Sequence, residues 1–289
     1  MAKLARIGLI GQTIDYTEAA VANIKSAIKM KLGSWLDGSE SNTFQYDESW
    51  GGVVTSNGLE NPKADYGNGL YTDHHLQYGF LLYTAAYALK NDTTDFKTKY
   101  LEKILTFARD IANPSADDTY FPVTRHKDWF LGHSWANGLV EYGDNRSQQS
   151  ISEAINAYYA ISLLGDAIGD LDMIRYGRML AATEMTAAKV YVQINSTSMI
   201  YPEMFKNNGM VGVLWDTQAY YTTFMGSNAE YIHGIQMEPF TPLTTALLSQ
   251  DFVQVQYNIA KDLMATNSYI VYLIMAQAFN DPIGAYLRY

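Results

Sequence analysis

The sequence predicts an all-α fold built from antiparallel helical hairpins. Three observations carry that prediction. Apolar residues recur at helical spacing in one segment after another, strand signals are few, and long polar-aromatic loops separate the helices. Hairpins of this kind, closed into a ring, make an α/α toroid whose loops form a cleft at one mouth.

The elements follow in order. The opening MAKLARIGLIGQ has two basic residues and a short apolar stretch, without the full apolar region and small-residue cleavage site of a signal peptide. It reads as the first turns of a helix. Residues 20–32 read as a second helix. Residues 74–90, HHLQYGFLLYTAAYALK, are apolar almost all round and long enough for a buried helix. Residues 95–111 are amphipathic, with Leu101, Ile104, Leu105 and Ala108 on one face. Segments 150–164 and 170–190 follow, then 243–248, 253–265 and 269–279. The intervening loops carry unusual chemistry: YDESWGG, DYGNGLYTDHH, FPVTRHKDWFLGHSWANG, GVLWDTQAYY and YIHGIQMEPFTP. No low-complexity block or linker divides the chain, so residues 1–289 read as a single domain.

Composition narrows the function. The formal charge is −10 and the pI about 4.9, which argues against nucleic acid, whose phosphates need a basic surface. No apolar run reaches the ~18 residues of a membrane span, so no membrane partner is expected. There are no cysteines, which excludes disulfides, thiolate metal sites and a thiol nucleophile. There are 23 Tyr, 11 Phe and 5 Trp, and aromatic rings in an acidic chain suit carbohydrate binding, although any single ring is more often core.

Asp73 stands first among residues able to do chemistry. It enters the apolar helix from YTDHH, where an Asp is a favoured helix cap. The functional reading is a general acid, with Tyr66, Tyr71, His74, His75 and Tyr78 nearby in sequence and aromatic shielding raising its pKa. His74, His75, His133 and His233 fall in polar loops, but adjacent histidines diverge and no HExxH spacing occurs, so no metal is expected. Arg125 and Asp128 are three apart and suit an ion pair, and Trp129 or Trp135 suits the floor of a sugar subsite or a buried loop core. Gln149 and Glu153 are four apart and would share a helix face if the helix begins at Ser147 or Ser150. Glu153 also fits a capping box with Ser150. No phosphate loop, dinucleotide fingerprint or GxSxG elbow competes.

As a set, the loops resemble glycoside hydrolase family 81, the endo-β-1,3-glucanases or laminarinases. DYGNGLYTDHHLQYGF, YDESWGG, RHKDWFLGHSWANG, GVLWDTQAYYTTFMG and EYIHGIQMEPFTP are similar to five ordered motifs of that family. The resemblance implies an (α/α)6 toroid, with the β-sandwich domain that usually precedes it absent from this chain. It implies endo-hydrolysis of β-1,3-glucan with inversion, by two carboxyl groups about 6.5–9.5 Å apart with water between them. The family's acid falls on Asp73, next to Thr72 where the family has Asn. Its base region, D-G-x-N-Q-E-S-x-S-E, falls on DNRSQQSISE, which puts the second acid on Glu153 and the base position on Gln149.

A carboxamide holds water but takes up no proton at ordinary pH. Losing general-base help costs about 10²–10⁴-fold. The expectation is therefore an impaired glucanase, or alternatively a non-catalytic β-1,3-glucan-binding module. Substrate contacts are expected from Tyr71, His74, His75, Tyr78, Arg125 and Asp128, and from Trp129, His133, Trp135, Trp215, Tyr231 and His233. No cofactor is required, the partner is β-1,3-glucan, a monomer is expected, and the resemblance implies secretion.

Overall fold

The computed structural model describes residues 1–195, 197–260 and 268–288. The chain is mostly helical, 56% helix and 8% strand. By internal contacts it divides into two units. The first comprises residues 1–127, 137–140 and 156–181, and the second residues 128–136, 141–155 and 182–289.

The first unit opens with α1 (Ala2–Thr13) and α2 (Glu18–Leu36), the latter longer at both ends than its periodicity suggests. A hairpin follows, β1 (Phe44–Asp47) against β2 (Gly52–Thr55), in the register Phe44↔Thr55 to Asp47↔Gly52. Then come α3 (Ser56–Glu60), a 3-10 turn (Ala64–Leu70), α4 (His74–Leu89) and α5 (Phe96–Ala112). α4 is buried on every side, as its all-round apolar sequence requires. Its Gly79 lies so near Ala157 that a Cβ would stand 2.6 Å from that residue's Cα, so only glycine permits this crossing with α6 (Ile151–Ile168). α5 buries Phe96, Tyr100, Ile104, Phe107 and Ile111, a one-sided stripe. Residues 156–181, most of α6 and of α7 (Leu171–Ala187), count with this unit.

The second unit contains a three-stranded antiparallel sheet in the order β3 (Ser147–Gln148), β4 (Val213–Trp215), β5 (Ala219–Tyr220). Its helices are α8 (Glu203–Lys206), α9 (Ala229–Ile235), α10 (Thr244–Leu247), α11 (Gln250–Ala260), α12 (Ile270–Gln277) and α13 (Pro282–Arg288). Ile151, Ile155, Val192, Met210, Met237, Leu247, Phe252 and Leu273 share one core, and Phe240 and Tyr272 pack at its edge.

Several expectations are corrected here. Segment 170–190 ends as an α-helix at Ala187 and continues as a π turn, Ala188–Val192. YDESWGG is the tip of a β-hairpin, GVLWDTQAYY forms β4–β5, and YIHGI is helical in α9. The expected helix 253–265 starts earlier, at Gln250, and its last residues, 261–265, lie outside the described residues. Among the described residues no helix is long and apolar enough to cross a membrane.

Candidate active site

In the first unit the segment before α4 is held in an unusual backbone. Asp65, Tyr66, Tyr71 and Asp73 all have positive φ, between 49° and 61°. Such conformations cost about 1–3 kcal/mol each in residues other than glycine and cluster at functional sites. Buried polar contacts impose them. The Asn68 side chain accepts from Thr55 N at 2.8 Å and donates to Gln77 Oε1 at 3.0 Å and to Tyr78 Oη at 3.2 Å. Asp65 accepts from Asn42 at 2.7 Å and from Thr55 Oγ1 at 2.5 Å.

A second network anchors the first turn of α4. His74, wholly buried, places Nδ1 2.8 Å from Asp110 Oδ2 and Nε2 2.7 Å from the Asn68 carbonyl. Arg125 donates to Asp110 Oδ1 from Nε at 3.1 Å and from a terminal nitrogen at 2.9 Å. It also donates to the carbonyls of Trp50 and Gly51, at 3.0 and 2.5 Å, and covers the Tyr71 ring at 4.3 Å. Tyr71 donates to Asp47 at 2.8 Å. The β1–β2 hairpin, α4 and α5 are thus fastened around one buried carboxylate, Asp110.

Asp73 emerges from this frame. It sits at the N-cap position of α4, yet its side chain makes no capping bond, so the helix-cap reading is set aside. The side chain is half-buried, and Oδ1 is shut off from solvent without a hydrogen-bond partner. Burial pushes its pKa from 3.8 up to about 7. A carboxylic acid in that state holds its proton near neutrality, as a general acid must. His75, buried and stacked on His126 at 4.4 Å, is held neutral, its pKa driven well down by burial.

In the second unit Asp128 organises the RHKDW loop. It accepts from the backbone of Phe130 and Leu131, each at 3.0 Å, and from Trp135 Nε1 at 3.0 Å. Burial works to raise its pKa, but these bonds and the nearby Arg146 hold it below the usual carboxylate range. Arg146 lies 3.6 Å from Asp128 and covers the Trp135 ring at 4.8 Å. His133 is buried, edge-on to Trp135 at 4.4 Å.

The 147–153 junction is built from strand to helix. β3 pairs with β4 as Ser147↔Trp215 and Gln148↔Leu214, and α6 begins only at Ile151. The Gln236 side chain ties the junction together. It accepts from Ile151 N at 3.0 Å and donates to the carbonyls of Gly212, at 2.7 Å, and Gln149, at 3.2 Å. Gln149 is half-buried and donates from Nε2 to Ser147 Oγ at 3.2 Å.

The placement corrects several expected contacts. Gln149 precedes α6, so it and Glu153 do not project from one helix face. Ser150 donates from Oγ to the Ile235 carbonyl at 3.2 Å. Arg125 pairs with Asp110 and Asp128 with Arg146, not with each other. His74 has both ring nitrogens engaged inside the protein. His233, buried, meets Tyr221 Oη at 2.8 Å and also Gln256, and burial lowers its pKa to about 4. Tyr71 and Tyr78 are buried with their hydroxyls engaged. These four side chains are tied into the scaffold by those contacts.

Trp129 is 53% exposed and offers an open ring, whereas Trp135 is 6% exposed and does not. Tyr231 is half-buried against Tyr269, and Trp215 against Tyr142 and Phe224. Sequence reasoning missed Asp110, whose only signal is a charge on the buried stripe of α5. It also missed the exposed rings of Trp50, Phe130 and Phe224, whose only signal is their place in aromatic loops. Among the described residues no group of three or more His, Cys, Asp or Glu side chains converges as a metal site.

Comparison with known proteins decides the family. Residues 1–287 match the model of the glycosyl hydrolase family 81 C-terminal domain. The chain belongs to family 81. A glucan endo-1,3-beta-D-glucosidase of Glycine max is 33% identical over 261 residues, covering 88% of this chain and 39% of that protein. The primary septum glucan endo-1,3-beta-D-glucosidase of Schizosaccharomyces pombe is 32% identical over 260 residues, covering 89% of this chain and 26% of that protein. The family 81 domain therefore spans well under half the length of these relatives. A mutant family 81 glycoside hydrolase from Clostridium thermocellum superposes with a TM-score of 0.84 at 24% identity, over 100% of this chain and 41% of that one. The fold is thus shared, and its helix-rich make-up is in keeping with the α/α toroid implied by the sequence motifs.

Proposed function

We propose that this family 81 chain, acting as a single domain, hydrolyses internal β-1,3-glucosidic bonds of laminarin-type glucans with inversion. The observation that carries the reading is Asp73. Its shielded carboxyl, without a cap bond or hydrogen-bond partner on Oδ1, is poised as a proton donor near neutrality. Relatives named as glucan endo-1,3-beta-D-glucosidases support the substrate class. In this mechanism Asp73 protonates the leaving oxygen, and the 149–153 junction serves the attacking water. Gln149 occupies the position of the base and Glu153 helps to hold water or glucan. Trp129, Trp215 and Tyr231 supply the open or half-open rings for sugar faces. A polymeric substrate of this kind is met outside the cell, which is where the protein would work.

Gln149 slows the reaction on this reading, because an amide accepts no proton. Reducing-end release from laminarin, measured for the chain and for Gln149→Glu, tests the proposal. A gain of about a hundredfold or more supports it. Two folded proteins that neither cut nor bind laminarin would refute it. Gln149 also favours a second reading, a glucan-binding module that holds its ligand uncut. Laminarin binding by both proteins with hydrolysis by neither would establish that reading.

A further inference from the structure

Three consecutive residues before α4 are left-handed. Asp65, Tyr66 and Gly67 have φ of 49°, 57° and 79°, with ψ of 41°, 34° and 24°. Glycine adopts this conformation freely. Asp65 is held in it by Asn42 and Thr55, as described. Tyr66 is the anomaly, because a bulky side chain at positive φ is an outlier. Its side chain makes no hydrogen bond or ring contact among the described residues, and the residue is 86% exposed. A turn needed only for the fold is made with less strain by glycine or asparagine. The ring therefore points to a role outside the fold.

The backbone of Tyr66 is fixed, and fixed beside Asp73. The Gln77 side chain, in α4, donates from Nε2 to two carbonyls, Asp65 at 3.2 Å and Thr72 at 3.3 Å. These are the residues directly before Tyr66 and Asp73, so one amide holds the peptide leading into each. Asn68 donates to Gln77 Oε1 at 3.0 Å and so sets the orientation of that amide. Thr72 N also donates to the Gly67 carbonyl at 3.2 Å. The approach is close, since a Cβ on Gly67 would stand 2.9 Å from Thr72 Oγ1. All of these residues belong to the first unit.

We infer that Tyr66 is a substrate-binding residue of the Asp73 site, an open ring on which a glucose unit stacks next to the bond that Asp73 protonates. The inference rests on the glucanase reading above. An exposed phenol ring offers an apolar face to the C–H face of a sugar while its hydroxyl stays in water. Because the turn is tied at Asp65 and Gly67 before the glucan arrives, less freedom is lost on binding.

Tyr66→Gly removes the ring and suits the left-handed backbone, so it separates function from fold. Laminarin binding by titration calorimetry and unfolding in urea test the inference, with the change made in the chain as it stands and in Gln149→Glu. Binding should weaken about tenfold. The urea midpoint should stay the same or rise. Tyr66→Phe, which keeps the ring, should bind within about twofold of the unchanged chain. In the Gln149→Glu background the loss from Tyr66→Gly should fall on KM rather than kcat. Undiminished binding by Tyr66→Gly would overturn the inference and leave the glucanase reading intact. An equal loss in Tyr66→Phe would overturn it too, since the hydroxyl rather than the ring face would then hold the glucan. If neither the chain nor Gln149→Glu binds laminarin, the glucanase reading falls and the inference with it. If Tyr66→Gly does not fold, Tyr66→Asn, which tolerates the same backbone, replaces it with the same outcomes.

Discussion

Replacing Asp73 by Asn tests the site through stability alone, whatever the substrate. The change keeps the side chain's size and removes its charge. Burial raises the Asp73 pKa from 3.8 in the unfolded chain to about 7 in the folded one. The folded state therefore holds a proton that the unfolded state releases first. The stability associated with this group is fully present below pH 3.8 and is lost as pH rises through about 7. That rise, at ~1.4 kcal/mol for each pH unit, gives a loss of about 4 kcal/mol between those limits. The asparagine side chain has no proton to lose, so the variant escapes that loss. Urea or thermal unfolding of both proteins from pH 4 to pH 8 is the assay. The two curves should run close together near pH 4 and separate as pH rises. The unsubstituted protein should be the less stable, with the gap flattening above pH 7. A difference that stays constant across the range would refute the reasoning, since it would mean Asp73 ionises normally.

Other outcomes follow from the same geometry. Asp73→Asn in the Gln149→Glu background should abolish laminarin hydrolysis while the protein remains folded by circular dichroism. Arg125→Ala leaves Asp110, which is wholly buried, with His74 as its one ionic partner among the described residues, and should destabilise by about 3–5 kcal/mol in urea unfolding. Trp129→Ala removes an exposed ring and should leave the melting temperature within a few degrees. It should weaken laminarin binding about tenfold, equivalent to ~1.4 kcal/mol by titration calorimetry.

The long helices were legible because burial imposes a period. α4 was expected over 74–90 and runs His74–Leu89, and α5 was expected over 95–111 and runs Phe96–Ala112. The sheets were not legible. Strands of two to four residues, such as β3 and β1, are too short to show an alternating pattern. Asp73 could be read from its motif, but its sequence position suggested a cap, and only the positive φ of 56° shows why it does not act as one. The histidines misled for a related reason. A polar residue in a loop looks available, yet His74 is spent on the nearby Asn68 carbonyl and on Asp110 of α5, and His233 on Tyr221 and on Gln256 of α11.

The rate of laminarin hydrolysis by Gln149→Glu, set against that of the unchanged chain, tests the central claim most directly. The account predicts a folded variant that releases reducing ends about a hundredfold faster or more, with inverted anomeric configuration in the product. A folded variant that is no faster, or one whose product retains its configuration, would contradict it.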